Sequence, residues 1–436
     1  MCDTSHNSPP LEHSPSRIWL GAMLLLLQGA ALLLVGAGSV PQMLRECEQD
    51  LWLYYATSAA VMSGYLPYRD FPLEYPPLAL IPFALPRLVL PSHILPFSSY
   101  LWAFLAQSVL FSTLLAGTVW RTAYKHFRDI SPNIPLGVYT AMALILSLLL
   151  PWRYDLFPAL LTALALAAVL GGKPLRAGIW LGMGIAAKLY PVVLLPVLAL
   201  YYLTMRRPGD LTRLLLGCLG VVGLCALPFA ALPPGILLSF LKYHQMRGLE
   251  IESLPAGIIL LAHLLGRTPV GIVYNYGAIH LVAPGAAKTI QLLPVLFLAL
   301  YSLLLIRCRN EFRREWEGSG IIAPRVLTNF LLGALLTFIV ANKVFSPQYV
   351  IWMLPFVPLL RPRDIALSLV IFVLTTVDFP LTFSHLMALE ALPIFLINLR
   401  NFLALVLLGL LLTGSKAPES KAQVLSLATR WAYVRH

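Results

Sequence analysis

Charge is scarce in this chain: Asp, Glu, Lys and Arg together make up 11% of its 436 residues, while 59% are hydrophobic. With a mean hydropathy of +0.79 and long Leu/Ala/Val runs, that scarcity excludes an ordinary soluble enzyme. No polar segment is long enough to bury a core of its own. The chain therefore reads as one integral membrane domain, and its length alone does not count domains. Cysteine is sparse as well. Cys2, Cys47, Cys218, Cys225 and Cys308 are scattered without a CxxC pair, which gives neither a zinc site nor a disulfide framework. The sequence has no Walker-type loop, no GxGxxG between a strand and a helix, and no HExxH. Nucleotide chemistry in the cytoplasm has no visible home, and no metal or other cofactor is read. No repeat of fixed period and no inverted pair of broken helices stands out, which weighs against a secondary transporter.

What the sequence does have is apolar runs of membrane-crossing length. Residues 1–17, "MCDTSHNSPPLEHSPSR", are Ser/Pro-rich and read as a disordered cytoplasmic tail. Ile18 to Gly38 is apolar over about 21 residues, longer than a signal-peptide core, and reads as an uncleaved first span. Further apolar stretches lie near 98–119, 133–150, 156–172, 177–188, 190–205, 211–231, 289–307, 325–341, 348–361, 364–380 and 392–413. Several are short or broken by proline (Pro158, Pro191, Pro196, Pro355). The expected fold is all-α and polytopic, with about 12 transmembrane helices (range 10–13) over residues 18–413 and a cytoplasmic tail at 414–436.

With the N-terminus cytoplasmic, 20 of the 31 Lys and Arg residues fall on inner segments and 11 on outer ones. The 19 acids divide as 9 inner and 10 outer, so nearly all of the net charge of +12 lies on the cytoplasmic face. That is the positive-inside pattern of an inner-membrane protein with both termini cytoplasmic, not a nucleic-acid footprint. Residues 39–97 become one long outer loop. In it, "ECEQDLWLYYATSAAVMSGY" is an acidic lead into an amphipathic helix. "EYPPLALIPFALPRLVLP" is too broken by proline to span and reads as helices lying in the interface.

The outer face then collects an unusual polar set. The first loop gives Asp50, Arg69, Asp70, Glu74 and Tyr75; the second, "PWRYDLFPA", gives Arg153, Tyr154 and Asp155. Lys188 and Tyr190 follow in "AAKLYPVVLLP", then His244, Arg247, Glu250 and Glu252 in "KYHQMRGLEIES". "NKVFSPQYVIW" adds Lys343, Ser346, Gln348 and Tyr349. Any one of these is as well explained as an interfacial anchor at a helix end. Taken together, the carboxylates and cations of the five loops point instead to a site. An acceptor hydroxyl needs a general base and a leaving phosphate needs positive charge, and this set supplies both. A sugar on a lipid phosphate would serve as donor without ATP.

Five blocks carry a family resemblance: "DLWLYYATSAAVMSGYLPYRDFPLEYPPLAL", "RYDLFPALLTALAL", "GIAAKLYPVVLLP", "YHQMRGLEIES" and "NKVFSPQYVIWMLP". Together, from about Asp50 to Pro355, they resemble membrane glycosyltransferases of the GT-C fold, and most of all family 87, which uses polyprenol-phosphate sugars. The resemblance implies an essential acid in the first outer loop, a position that Asp50 matches as general base. Glu74 matches a second acidic position, Asp70 competes with it, and Asp155 matches a further acid that positions donor or acceptor. It leaves Arg153, Lys188, Arg247 and Lys343 as candidates for the lipid phosphate, supported by Tyr190 and Gln348. Glu46 and Glu48 precede Asp50 without forming a DxD, so the resemblance supplies no metal ligand set. His244 is an alternative base, although a lone His beside Tyr in an interfacial helix is more often structural.

The expected function is transfer of a hexose, such as mannose, from a polyprenyl-phosphate donor to a lipid or glycan acceptor. Inversion and an extracytoplasmic active site come with the resemblance. The expected partners are these substrates and membrane lipids, with no nucleic acid. Two rivals are a transporter or flippase of a lipid-linked or anionic substrate, and a non-catalytic assembly partner. The first requires polar groups through the membrane midplane; the second predicts loops tolerant of substitution.

Overall fold

The computed structural model describes residues 15–46, 49–89, 95–233 and 235–413. Residues 1–14 and 414–436 of the two expected tails, together with Glu48, lie outside the described residues. Among the described residues, six helices are long and apolar enough to cross a membrane: Trp19–Arg45, Phe97–His126, Pro208–Phe229, Ala286–Ser319, Pro362–Leu381 and Ala391–Leu412. Six shorter apolar helices accompany them, among them Asn133–Ile145, Leu156–Leu170 and Pro324–Val340. The two kinds divide the work. Leu156–Leu170 and Pro324–Val340 are buried along most of their length inside the protein, whereas the long helices expose Leu34, Leu219 and Leu298 on their outer faces. Apolar residues facing outward are what a hydrocarbon solvent permits.

Several boundaries differ from the sequence reading, each for a local reason. The first helix runs from Pro15 to Glu46, carrying the expected span eight residues past Gly38 and through Pro41. Residues 348–361 are not an α-helix. They form two 3-10 segments, Pro347–Met353 and Val357–Leu359, and Pro355 and Pro358 inside the run lack the amide that a continuous α-helical ladder needs. Tyr190–Leu194 is likewise a 3-10 turn ahead of Leu195–Thr204, with Pro191 near its start. Within residues 39–97, Gln49–Met62 is helical and Leu80–Val89 forms a ten-residue helix behind the double proline.

The region that the sequence reading leaves as loop, before residue 289, contains a helix, Leu254–Leu264, and a small sheet. Strands Gly271–Asn275 and Ala278–Val282 pair antiparallel across Tyr276-Gly277, and Leu249–Glu250 adds the third strand. Tyr276 and Gly277 both have positive φ (47° and 66°), the combination that a two-residue hairpin turn requires.

Close helix packing holds the frame beneath these loops. Pro174–Ala187 and Pro208–Ala226 approach so closely that a Cβ on Gly178 would lie 2.0 Å from the Leu214 carbonyl oxygen. An aromatic cluster fastens residues 49–89 to the bundle: Tyr54 stacks on Phe83 at 4.4 Å, and Tyr75 meets Tyr154 edge-on at 5.0 Å. Such pairs contribute about 0.5–1.5 kcal/mol each beyond area burial.

Candidate active site

All five polar loops singled out in the sequence reach one cavity of about 440 Å³. Asp50, Glu74, Arg153, Lys188, Arg247 and Gln348 line it, with His244, Glu250, Glu252 and Ser346. Asp50 sits in the first turn of Gln49–Met62, where the helix N-terminus favours a carboxylate. Arg153 follows the 3-10 turn Leu150–Trp152 in an extended conformation and brings its Nη1 to 3.2 Å from Asp50 Oδ2. The expected base and one expected phosphate ligand are therefore partners of each other.

Lys188 is placed by the abrupt end of Pro174–Ala187, after which the backbone turns extended. Its Nζ lies 2.6 Å from Asp155 Oδ1 and within 4.7 Å of the Tyr154 ring centroid. Asp155 itself is fully buried and does not line the cavity. It stands at the N-cap position of Leu156–Leu170 yet makes no capping bond. Its carboxylate instead accepts from Lys188 and, at 2.6 Å, from Trp352 Nε1. Asp155 thus holds a cation at the cavity wall and is a step removed from any bound substrate.

Glu74 is presented by a loop with rigid supports. Pro76 and Pro77 follow it, and Tyr68 Oη donates to the Tyr75 carbonyl at 2.6 Å. His244 Nε2 lies 3.0 Å from the Glu74 carbonyl oxygen. Burial, then nearby Arg247, pushes this imidazole down to about 4, so it is neutral at pH 7. A neutral ring facing a carbonyl must donate from Nε2, which leaves Nδ1 as its acceptor.

Besides Asp155, three expected site residues do not line the cavity. Asp70 is exposed and bound to Arg69 Nε at 2.8 Å and to the Leu66 amide at 2.7 Å. Those two hydrogen bonds, Arg69's first, hold its carboxyl down to about 2. Tyr190 is buried, stacked on Trp352 at 4.3 Å with its hydroxyl on Thr162. Lys343 spends its ammonium on the Gln245 and Arg247 carbonyl oxygens, at 2.8 and 2.6 Å, where it closes the C-terminal end of Ser239–Met246. Burial, then Arg247, lowers the pKa of that ammonium.

Other residues enter unforeseen. The hairpin covers one side of the cavity through Tyr274, Gly277, Ala278 and Ile279. Tyr274 Oη meets Gln49, the residue before Asp50. A Cβ at Gly277 would lie 3.3 Å from Tyr243 Oη and 3.8 Å from Glu74 Oε2, so the tip sits close against the acid. Behind Glu250 and Glu252 are Asp378 and Arg400, both fully buried. The available signal was a lone charge in an apolar run, "VLTTVDFPLTF" and "IFLINLRNFLALV", which marks a functional position by default.

Residues 73–316 match glycosyltransferase family 87. No curated protein matches the chain. Among solved structures, the apo oligosaccharyltransferase of Archaeoglobus fulgidus is similar over 94% of this chain with 14% identity and a TM-score of 0.48. The chain spans 57% of the length of that protein. With more than half of its residues matched to the family, this membrane protein belongs to glycosyltransferase family 87.

Proposed function

We propose that the chain transfers a hexosyl group, such as mannosyl, from a polyprenyl-phosphate donor to a hydroxyl of a lipid or glycan acceptor, with inversion, on the extracytoplasmic face. The observation that carries this reading is the gathering of Asp50, Glu74, Arg153, Lys188 and Arg247 around one cavity. Asp50 accepts the proton of the acceptor hydroxyl as the oxygen bonds to the anomeric carbon. The bond from that carbon to the phosphate oxygen breaks, and the phosphate keeps its electron pair. Lys188 and Arg247 face the charge that grows on the phosphate, and preorganised cations of this kind stabilise such a transition state.

Arg153 orients Asp50 through their 3.2 Å contact. Asp155 and Trp352 fix Lys188, so its ammonium needs no rearrangement when the phosphate departs. Glu74 lies across the cavity as the second acid, positioned to bind a hydroxyl. Lys343 acts at one remove by holding the segment that bears Arg247, and Tyr190 by holding Trp352. The phosphate is a good leaving group, so cations suffice without a separate general acid.

The test is direct. Purified protein incubated with radiolabelled polyprenyl-phosphate hexoses and host membrane extract should produce one labelled product, identified by mass and linkage. Absence of transfer from every donor in the panel would overturn the reading.

A further inference from the structure

The hairpin beside the cavity carries an aromatic ring that the proposed transfer leaves without a role. Side chains alternate faces along a strand, so Ile272 and Tyr274 share one face of Gly271–Asn275. Ile272 packs against the apolar cluster that contains Leu249, Ile251 and Leu281. Tyr274, on the same inward face, lines the cavity and yet stays 51% exposed. Protein covers the isoleucine, whereas open cavity lies against the tyrosine. Ile279 stands opposite Tyr274 in the strand register and lines the cavity as well, so the two side chains are neighbours on one face.

Both ends of the hairpin hold this ring in place. The Tyr274 hydroxyl donates to Gln49 Oε1, one residue before Asp50. At the tip, Arg247 Nε donates to the Tyr276 carbonyl at 3.0 Å, and the Tyr276 ring meets Tyr243 edge-on at 5.4 Å. A Cβ on Gly277 would lie 3.8 Å from Glu74 Oε2. The hairpin thus runs from the neighbourhood of Asp50 to that of Glu74. A tyrosine that only anchored the chain at a membrane interface would turn its hydroxyl to headgroups and water. This one turns it to a residue of the cavity wall.

A half-open, pre-positioned ring beside two carboxylates suits one class of ligand. A sugar ring offers a face of C–H groups, which the negative face of an aromatic attracts, and a rim of hydroxyls that donate to carboxylates. A plain aliphatic alcohol has no such rim, and an acidic acceptor would bring charge of the same sign to Asp50 and Glu74. We propose that Tyr274 and Ile279 form the platform of an acceptor subsite, on which a neutral sugar ring lies with its hydroxyls toward Asp50 and Glu74. The acceptor is then a sugar and not a simple lipid alcohol. The inference rests on the transfer reading given above, because it names the acceptor of that reaction.

The experiment reads binding by saturation-transfer NMR on the full-length protein in a detergent without a sugar headgroup. The probes are neutral trisaccharides of mannose, glucose and galactose, their dodecyl glycosides, and dodecanol. Ring C–H protons of at least one sugar probe should be saturated from the protein, and dodecanol should not displace it. Tyr274→Ala should lower the affinity for that probe about ten-fold relative to the affinity for a polyprenyl-phosphate hexose. Tyr274→Phe, which keeps the ring and loses the bond to Gln49, should stay within about two-fold of the wild type. A merely structural role would make Tyr274→Phe as damaging as Tyr274→Ala, or would weaken donor and sugar probe together, and either result overturns the proposal. So does a panel in which no sugar probe binds. Equal Tyr274-dependent binding of trisaccharide and glycoside supports a glycan acceptor, and binding of the glycoside alone supports a glycolipid. Tyr274-dependent sugar binding without transfer would overturn the transferase reading alone, and preferred transfer to dodecanol would overturn the subsite alone.

Discussion

Asp70, within residues 39–97, and Glu250 and Glu252, at the cavity, are the same chemical groups in opposite circumstances. Asp70 faces solvent, and the Arg69 hydrogen bond followed by the Leu66 amide holds its carboxyl down to about 2. Glu250 is buried, and that burial outweighs Arg247 and the Phe345 amide to push it up to about 7. Glu252 is raised as well, first by burial and then by the carboxylates of Asp378 and Glu250. Asp70 is thus a fixed charge, while Glu250 exchanges its proton near neutral pH. Asp50 is part-exposed and held by Arg153. What an acid can do here is decided by its neighbours and its depth, not by residue type.

The strongest way to break this comparison is at Asp50. Asp50→Asn keeps the shape but cannot take a proton, so turnover should fall about 10²–10⁴-fold with donor affinity little changed. Steady-state kinetics checks it. Near-normal turnover, with collapse in Glu74→Gln, would move the base to Glu74.

Lys188→Gln should act on two properties at once. It leaves the Asp155 carboxylate buried and unpaired, which costs on the order of 3–5 kcal/mol of stability, and it weakens donor binding. Adding Asp155→Asn should restore part of the stability but none of the affinity. Recovery of both, by denaturation and donor titration, would show that Lys188 serves only to neutralise Asp155.

The pH dependence of stability should separate the two regions by sign. Glu250 has its carboxyl raised from 4.5 to about 7, so the folded state holds a proton that the unfolded chain has released. Stability from this group is full below pH 4.5 and is lost as pH rises to about 7, by on the order of 3 kcal/mol. Asp70 runs the other way: its contribution is present above 3.8 and is lost as pH falls through about 2. Thermal melts across pH should show the first slope in the wild type and a flatter one in Glu250→Gln. An unchanged slope would assign the titration elsewhere.

The smallest effect is expected at Asp70. Asp70→Asn removes a solvent-exposed ion pair outside the cavity, so stability should hardly change and turnover should move by less than about two-fold. A large loss of turnover would bring the Arg69–Asp70 turn back into the site.

Much of the frame is determined by the sequence alone. Apolar runs specify helices wherever the solvent is hydrocarbon, because each backbone amide must be satisfied within its own segment. The loops with reactive groups were legible for the same reason, since charge beside an apolar run is expensive and rarely accidental. The division of labour among those groups was not. Asp155 and Lys188 are 33 residues apart in the chain, and only the fold makes them partners at 2.6 Å. Lys343 looks like Arg247 in composition, yet its distance from the cavity follows from the two carbonyls that it caps. Asp378 and Arg400 read as isolated charges until the tertiary structure sets them behind Glu252, 126 and 148 residues away in sequence. Local pattern reports what each residue requires of its surroundings. Which groups meet that requirement is a matter of long-range contact, and tertiary packing alone decides it.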